Sequence, residues 1–131
     1  MYVNYFQSPL GRMIAWNDEN ALYYLDFVQE DREKRLENYL NGIKPVKGSN
    51  ALTERLFSQL GEYFSGKRRE FDIPLKLYGG TFQMAVWAGL MYIPYGETRT
   101  YGQLAAMLGK PRASRAVGGA NHNNPVSVIV P

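Results

Sequence analysis

The chain has 131 residues, 45% of them apolar and 21% charged, enough for one domain or two very small lobes and unlike a disordered chain. It holds no cysteine, which excludes a disulfide framework, Cys-ligated zinc and a cysteine nucleophile within these residues. The net charge of +3 lies entirely in residues 81–131, where Arg99, Lys110, Arg112 and Arg115 stand against Glu97 alone.

The start, Met1-Tyr2-Val3-Asn4-Tyr5-Phe6, lacks the basic residues and long apolar stretch of a signal peptide. Tyr2, Tyr5 and Phe6 belong to a first strand that stops at the turn Ser8-Pro9-Leu10-Gly11. Met13 to Trp16 and Ala21 to Val28 are two further apolar runs, joined by the polar turn Asn17-Asp18-Glu19-Asn20. Together they predict a small antiparallel sheet. Leu36, Tyr39 and Leu40 give the charge-dense segment Gln29 to Asn41 a helical stripe, broken by Gly42 and Pro45. Leu52, Leu56, Leu60 and Phe64 predict a stronger helix from about Asn50 to Ser65, capped by Ser49 or Asn50 and ended by Gly66. Arg69 to Leu77 reads as one more strand, and Tyr78-Gly79-Gly80 as a linker. The lobes are therefore residues 1–80, with a structural role, and 81–131.

The second lobe reads as helices. Thr81 is placed to cap a helix with the stripe Phe82, Val86, Leu90, flanked by Trp87. Tyr101, Leu104, Ala105 and Leu108 form one face of a short helix, and Gly109-Lys110-Pro111 a tight turn. Ala113, Ala116, Val117 and Ala120 mark another short helix, carrying Arg112 and Arg115. Two short helices about a glycine turn make a helix-turn-helix pattern, open to a DNA-binding or a purely structural reading. The basic excess fits a polyanion partner such as nucleic acid, and equally an ordinary solvated face. His122 reads as a solvated loop histidine, Ala116 and Gly119 as close helix–helix packing, and Val128-Ile129-Val130 as a buried strand.

The wording of this lobe is more distinctive than its periodicity. It runs Phe82-Gln83, Val86-Trp87, Ile93-Pro94-Tyr95-Gly96-Glu97-Thr98, Thr100-Tyr101-Gly102-Gln103-Leu104-Ala105 and Leu108-Gly109-Lys110-Pro111. Ser114-Arg115-Ala116-Val117-Gly118-Gly119-Ala120, Asn124-Pro125 and Val128-Ile129-Val130-Pro131 follow. This series resembles the O6-alkylguanine-DNA alkyltransferases, and the resemblance extends more loosely through Ser8-Pro9-Leu10-Gly11 and Tyr63-Phe64-Ser65-Gly66.

The resemblance implies an α+β fold: an N-terminal lobe with an antiparallel sheet, then a helical, winged-helix-like lobe for DNA binding and alkyl transfer. It implies a single transfer of an alkyl group from O6 of guanine to a cysteine of the protein, without cofactor or metal. The implied partner is double-stranded DNA containing O6-alkylguanine, met by a monomer. The family's cysteine lies in a Pro-Cys-His-Arg word; here Pro131 is the last residue, so the acceptor is expected directly after it. Dealkylation needs a soft thiolate, which no hydroxyl here replaces.

By the same resemblance, Arg115 inserts into the base stack and Tyr101 extrudes the nucleotide and then contacts the flipped guanine. Asn124 braces the active-site turn. Thr100, Ala113, Ser114 and Asn121 contact DNA, and Ser127 and Val128 line the base pocket with Tyr101. A non-enzymatic relative that binds alkylated DNA, and a generic winged-helix protein, are the competing readings. No apolar run reaches the roughly 18 residues of a membrane span, and the expected location is cytoplasmic, at the nucleoid or in a nucleus.

Overall fold

A computed structural model of the chain describes residues 1–28 and 43–130. The helix expected over Gln29 to Asn41 lies outside the described residues. The chain divides into two compact units, Met1–Tyr78 and Gly79–Pro131.

In the first unit, β1 (Tyr2–Ser8) and β2 (Gly11–Asn17) pair antiparallel about the two-residue loop Pro9-Leu10. The Ser8 hydroxyl closes that loop, donating to Gly11 O at 2.7 Å and accepting from Leu10 N–H at 3.2 Å. Gly11 sits at φ +138°, which favours glycine at this position. β3 (Leu22–Phe27) pairs antiparallel with β2. The Asp18 carboxylate organises the turn between them, accepting from Asn20 N–H, Ala21 N–H and, at 2.6 Å, the Tyr23 hydroxyl. Burial alone would raise the Asp18 pKa, but these bonds and the N-terminal ammonium outweigh it and hold it below its ordinary value. The same bond, with burial, pushes Tyr23 up to about 12.

The sheet is not wholly antiparallel. A two-residue strand, β4 (Val46–Lys47), pairs parallel with β1, so the order is β3-β2-β1-β4. The strand expected over Arg69 to Leu77 shrinks to one parallel bridge, Leu22 with Leu75. Pro74 offers a carbonyl to Leu22 N–H at 2.8 Å but has no N–H to continue a ladder.

α1 (Ala51–Phe64) buries Leu52, Leu56 and Leu60, as the spacing predicts. Asn50 is its cap. Its side-chain oxygen accepts from Thr53 N–H at 3.0 Å, and Thr53 Oγ1 accepts from Asn50 N–H. The fully buried Asn17 joins this cap, donating to Asn50 Oδ1 and accepting from the Thr53 hydroxyl, both at 2.9 Å. Strand and helix start are thus held by one polar network in which every partner is satisfied. Gly66, at φ +77°, ends the helix, with Lys67 N–H on Glu62 O and Gly66 N–H on Tyr63 O.

The second unit holds α2 (Thr81–Met91), α3 (Tyr101–Met107) and α4 (Ser114–His122). Gly80, not Thr81, is the N-cap of α2: its carbonyl accepts the first helical bond from Met84 N–H, and its N–H donates to Gln83 Oε1. The core gathers Val86, Trp87, Leu90, Leu104, Ala105, Val117, Ala120, Val126 and Val130. Trp87 is its largest member and donates its indole N–H to Ala120 O at 2.8 Å. α2 and α3 meet at Gly89, where a Cβ would lie 2.9 Å from Leu104 Cδ1. Gly109, at φ +74°, makes the turn between α3 and α4.

Candidate DNA interface

α4 has two faces. Val117 and Ala120 point into the core, whereas Arg115, Ala116, Gly119 and His122 are exposed and follow helical spacing along the outer side. A Cβ added at Gly119 would meet nothing within 4 Å. The reading of Ala116 and Gly119 as helix–helix packing is therefore overturned: their small size leaves a flat outer surface. His122 belongs to the last turn of α4 rather than to a loop, and is exposed as expected.

Arg115 projects from the first turn of α4, where Ala113 is the N-cap and supplies no side-chain hydrogen bond. Ala113 and Ser114 are half-buried. Thr100 caps α3 in a reciprocal box with Gln103: Oγ1 accepts from Gln103 N–H at 3.0 Å, and Gln103 Oε1 accepts from Thr100 N–H at 2.8 Å. Its oxygen is thus committed to the helix start, and its hydroxyl proton remains to donate outward.

Tyr101, the first residue of α3, is 49% exposed, not a core aromatic. Its ring lies against α4 at Gly118, and its hydroxyl accepts from Asn121 Nδ2 at 3.4 Å. The two helices of the motif therefore bring Tyr101 and Asn121 together.

The segment after α4 is a turn, not the strand that its β-branched run predicts. Val130 N–H reaches back to Val126 O at 3.0 Å, and Ile129 N–H to Ser127 O at 2.9 Å. Val128, between the last two, is at φ +74°. Such a conformation is strained for a β-branched residue, and persists only where its surroundings fix it. Asn124 does this: Nδ2 donates to Val130 O at 2.7 Å, and Oδ1 accepts from Val126 N–H at 2.9 Å. Ser127 and Val128 are half-buried, between the buried Val126 and Ile129. An open cleft of about 300 Å³ lies elsewhere, in the first unit at Met1, Tyr2, Asp18, Glu19, Asn20 and Val46. It includes none of Tyr101, Ser127 and Val128. Among the described residues no three His, Asp or Glu side chains gather to hold a metal ion. No helix described is long and apolar enough to cross a membrane.

Fold and surface define a class: a two-unit α+β protein whose second unit carries a helix-turn-helix with an exposed, small-residue second helix led by arginine. Residues 81–131 match the family model of the 6-O-methylguanine DNA methyltransferase DNA binding domain, and residues 1–77 that family's ribonuclease-like domain. The chain belongs to the 6-O-methylguanine DNA methyltransferase family. It is 43% identical to the methylated-DNA–protein-cysteine methyltransferase of Methanosarcina barkeri, over all of this chain and 79% of that protein. The Mycobacterium bovis protein of the same name is 55% identical over 95% of this chain and 71% of its own length. The fold superposes on the crystal structure of Mycobacterium tuberculosis OGT in complex with DNA. There the TM-score is 0.85 at 36% identity, over 100% of this chain and 75% of that one.

Proposed function

We propose that this chain provides the DNA-binding and base-flipping machinery of a methylated-DNA–protein-cysteine methyltransferase that repairs O6-alkylguanine in duplex DNA. The carrying observation is the outer face of α4, flat and small-residued with an exposed arginine in its first turn, in a chain of this family. The alkylated oxygen is stacked inside the duplex, so the nucleotide must rotate out before it reacts. Arg115 fills the vacated space. Tyr101 drives the nucleotide outward and then meets the guanine. Ala116 and Gly119 allow α4 to approach the DNA closely. The uncapped start of α4 suits a phosphate, as do the hydroxyls of Thr100 and Ser114. Ala113 and Asn121 border the same surface.

In the transfer step a thiolate attacks the alkyl carbon. The carbon–O6 bond breaks, its electron pair stays on the base, and the guanine takes up a proton. The acceptor thiol is not among these 131 residues; the proposal places it directly after Pro131. Asn124 and the turn it holds then set its position, with Ser127 and Val128 beside the base. The step uses no cofactor.

Replacing Arg115 tests the reading. Holding a gap in the stack is worth a few kcal/mol, so Arg115→Ala should slow repair of duplex O6-methylguanine by about tenfold or more. Binding to undamaged duplex should change far less. Equal loss in both assays would demote Arg115 to a phosphate contact.

A further inference from the structure

We infer that Gly118 and Asn121 are positioning residues that seat the Tyr101 side chain on α4. The inference rests on the proposed role of Tyr101 in extruding the nucleotide, and it says what holds that side chain ready.

An exposed tyrosine at the start of a helix ordinarily samples several rotamers, and ordering it costs entropy. Here two contacts define its place. A Cβ built on Gly118 would stand 3.1 Å from Cε2, 3.2 Å from Cδ2 and 3.7 Å from Cζ of Tyr101. The first two are tighter than most carbon contacts, so any side chain at 118 would push the ring aside by a few tenths of an ångström. Asn121 lies three residues on, on the same side of α4, and its amide donates to the phenolic oxygen at 3.4 Å. One contact fixes the ring and the other its polar tip.

The two adjacent glycines therefore do different work. Gly119 faces open space and keeps the outer surface flat, whereas Gly118 faces Tyr101. A glycine within a helix weakens it relative to alanine, so Gly118 favours the seat over the helix.

The test reads base extrusion in the native protein, as the fluorescence phase that precedes alkyl transfer. A duplex carries O6-methylguanine beside 2-aminopurine, whose fluorescence rises when its neighbour leaves the stack. With Gly118→Ala the fluorescence gain at saturating protein should fall by about fivefold or more, while affinity for undamaged duplex stays within about twofold. Unfolding should occur at the same temperature or higher, because alanine favours the helix. Asn121→Ala should give a smaller loss, and adding Gly118→Ala to Tyr101→Ala should remove nothing further. A full fluorescence gain in Gly118→Ala overturns the seat, as does a loss matched by equally weakened binding. If Tyr101→Ala loses the gain and Gly118→Ala keeps it, the role of Tyr101 stands and the seat alone fails. If Tyr101→Ala keeps the gain, the extruding role fails and takes the seat with it.

Discussion

Trp87→Ala should destabilise the second unit by about 3–5 kcal/mol, the usual cost of emptying a buried tryptophan site. Trp87 is 2% exposed, and its indole N–H satisfies Ala120 O in α4. The substitution leaves both a cavity and a buried carbonyl without its donor. A unit of residues 79–131 has little stability to spare, so α4 should lose its protection against amide hydrogen exchange. Trp87→Phe separates the two losses: it keeps most of the packing and should cost about 1–3 kcal/mol for the orphaned carbonyl. Denaturant unfolding followed by circular dichroism measures both. Trp16, the remaining tryptophan, reports the first unit independently by its fluorescence. A Trp87→Ala protein as stable as the parent would mean that the second unit is held by something other than this core.

Asn124→Ala should affect the chemistry more directly than the fold. It removes both side-chain bonds that hold the turn, one to Val130 O and one from Val126 N–H. Without them Val128 is free to leave φ +74° and relieve strain worth about 1–3 kcal/mol. The acceptor proposed after Pro131 would then lose its fixed approach, and near-attack geometry is worth several powers of ten in rate. Single-turnover transfer should fall by about tenfold or more, to a similar degree for duplex O6-methylguanine and for the free base O6-benzylguanine. This pattern separates Asn124 from Arg115, whose loss should spare the free base. A loss confined to duplex substrate would place Asn124 in DNA binding.

Much of the fold was legible from local chemistry. Asn50 and Gly66 delimit α1 because a capping side chain and a left-handed glycine act within a few residues. Gly109 likewise marks the turn of the helix-turn-helix. β4 was not legible, since two residues carry no alternation and their pairing with β1 crosses more than forty positions. Pro74 cut short a strand that its neighbours' apolarity suggested. The run Val128-Ile129-Val130 misled for a different reason: β-branched residues favour strands, but here Asn124 supplies the hydrogen bonds that a partner strand would have given.

The candidate site divides in the same way. Arg115 and Tyr101 are both exposed, as the roles proposed for them require. The outward direction of Ala116 and Gly119 was hidden, since small residues serve close packing against protein and against DNA equally well. Helical spacing carried a usable signal: Val117 and Ala120 as the inner pair place Ala116 and Gly119 outside. The partnership of Gly118 with Tyr101 spans a turn and two helices, and only the folded chain reveals it.

The most direct measurement is intact mass of the native protein before and after incubation with duplex DNA containing O6-methylguanine, with peptide mapping of any gain. The expected result is a gain of one methyl group per molecule, on a cysteine in the peptide that follows Val130-Pro131, with unmodified guanine restored in the DNA. A native protein that binds the damaged duplex, gains no mass and leaves O6-methylguanine in place would contradict it. That protein would be a non-enzymatic binder of alkylated DNA.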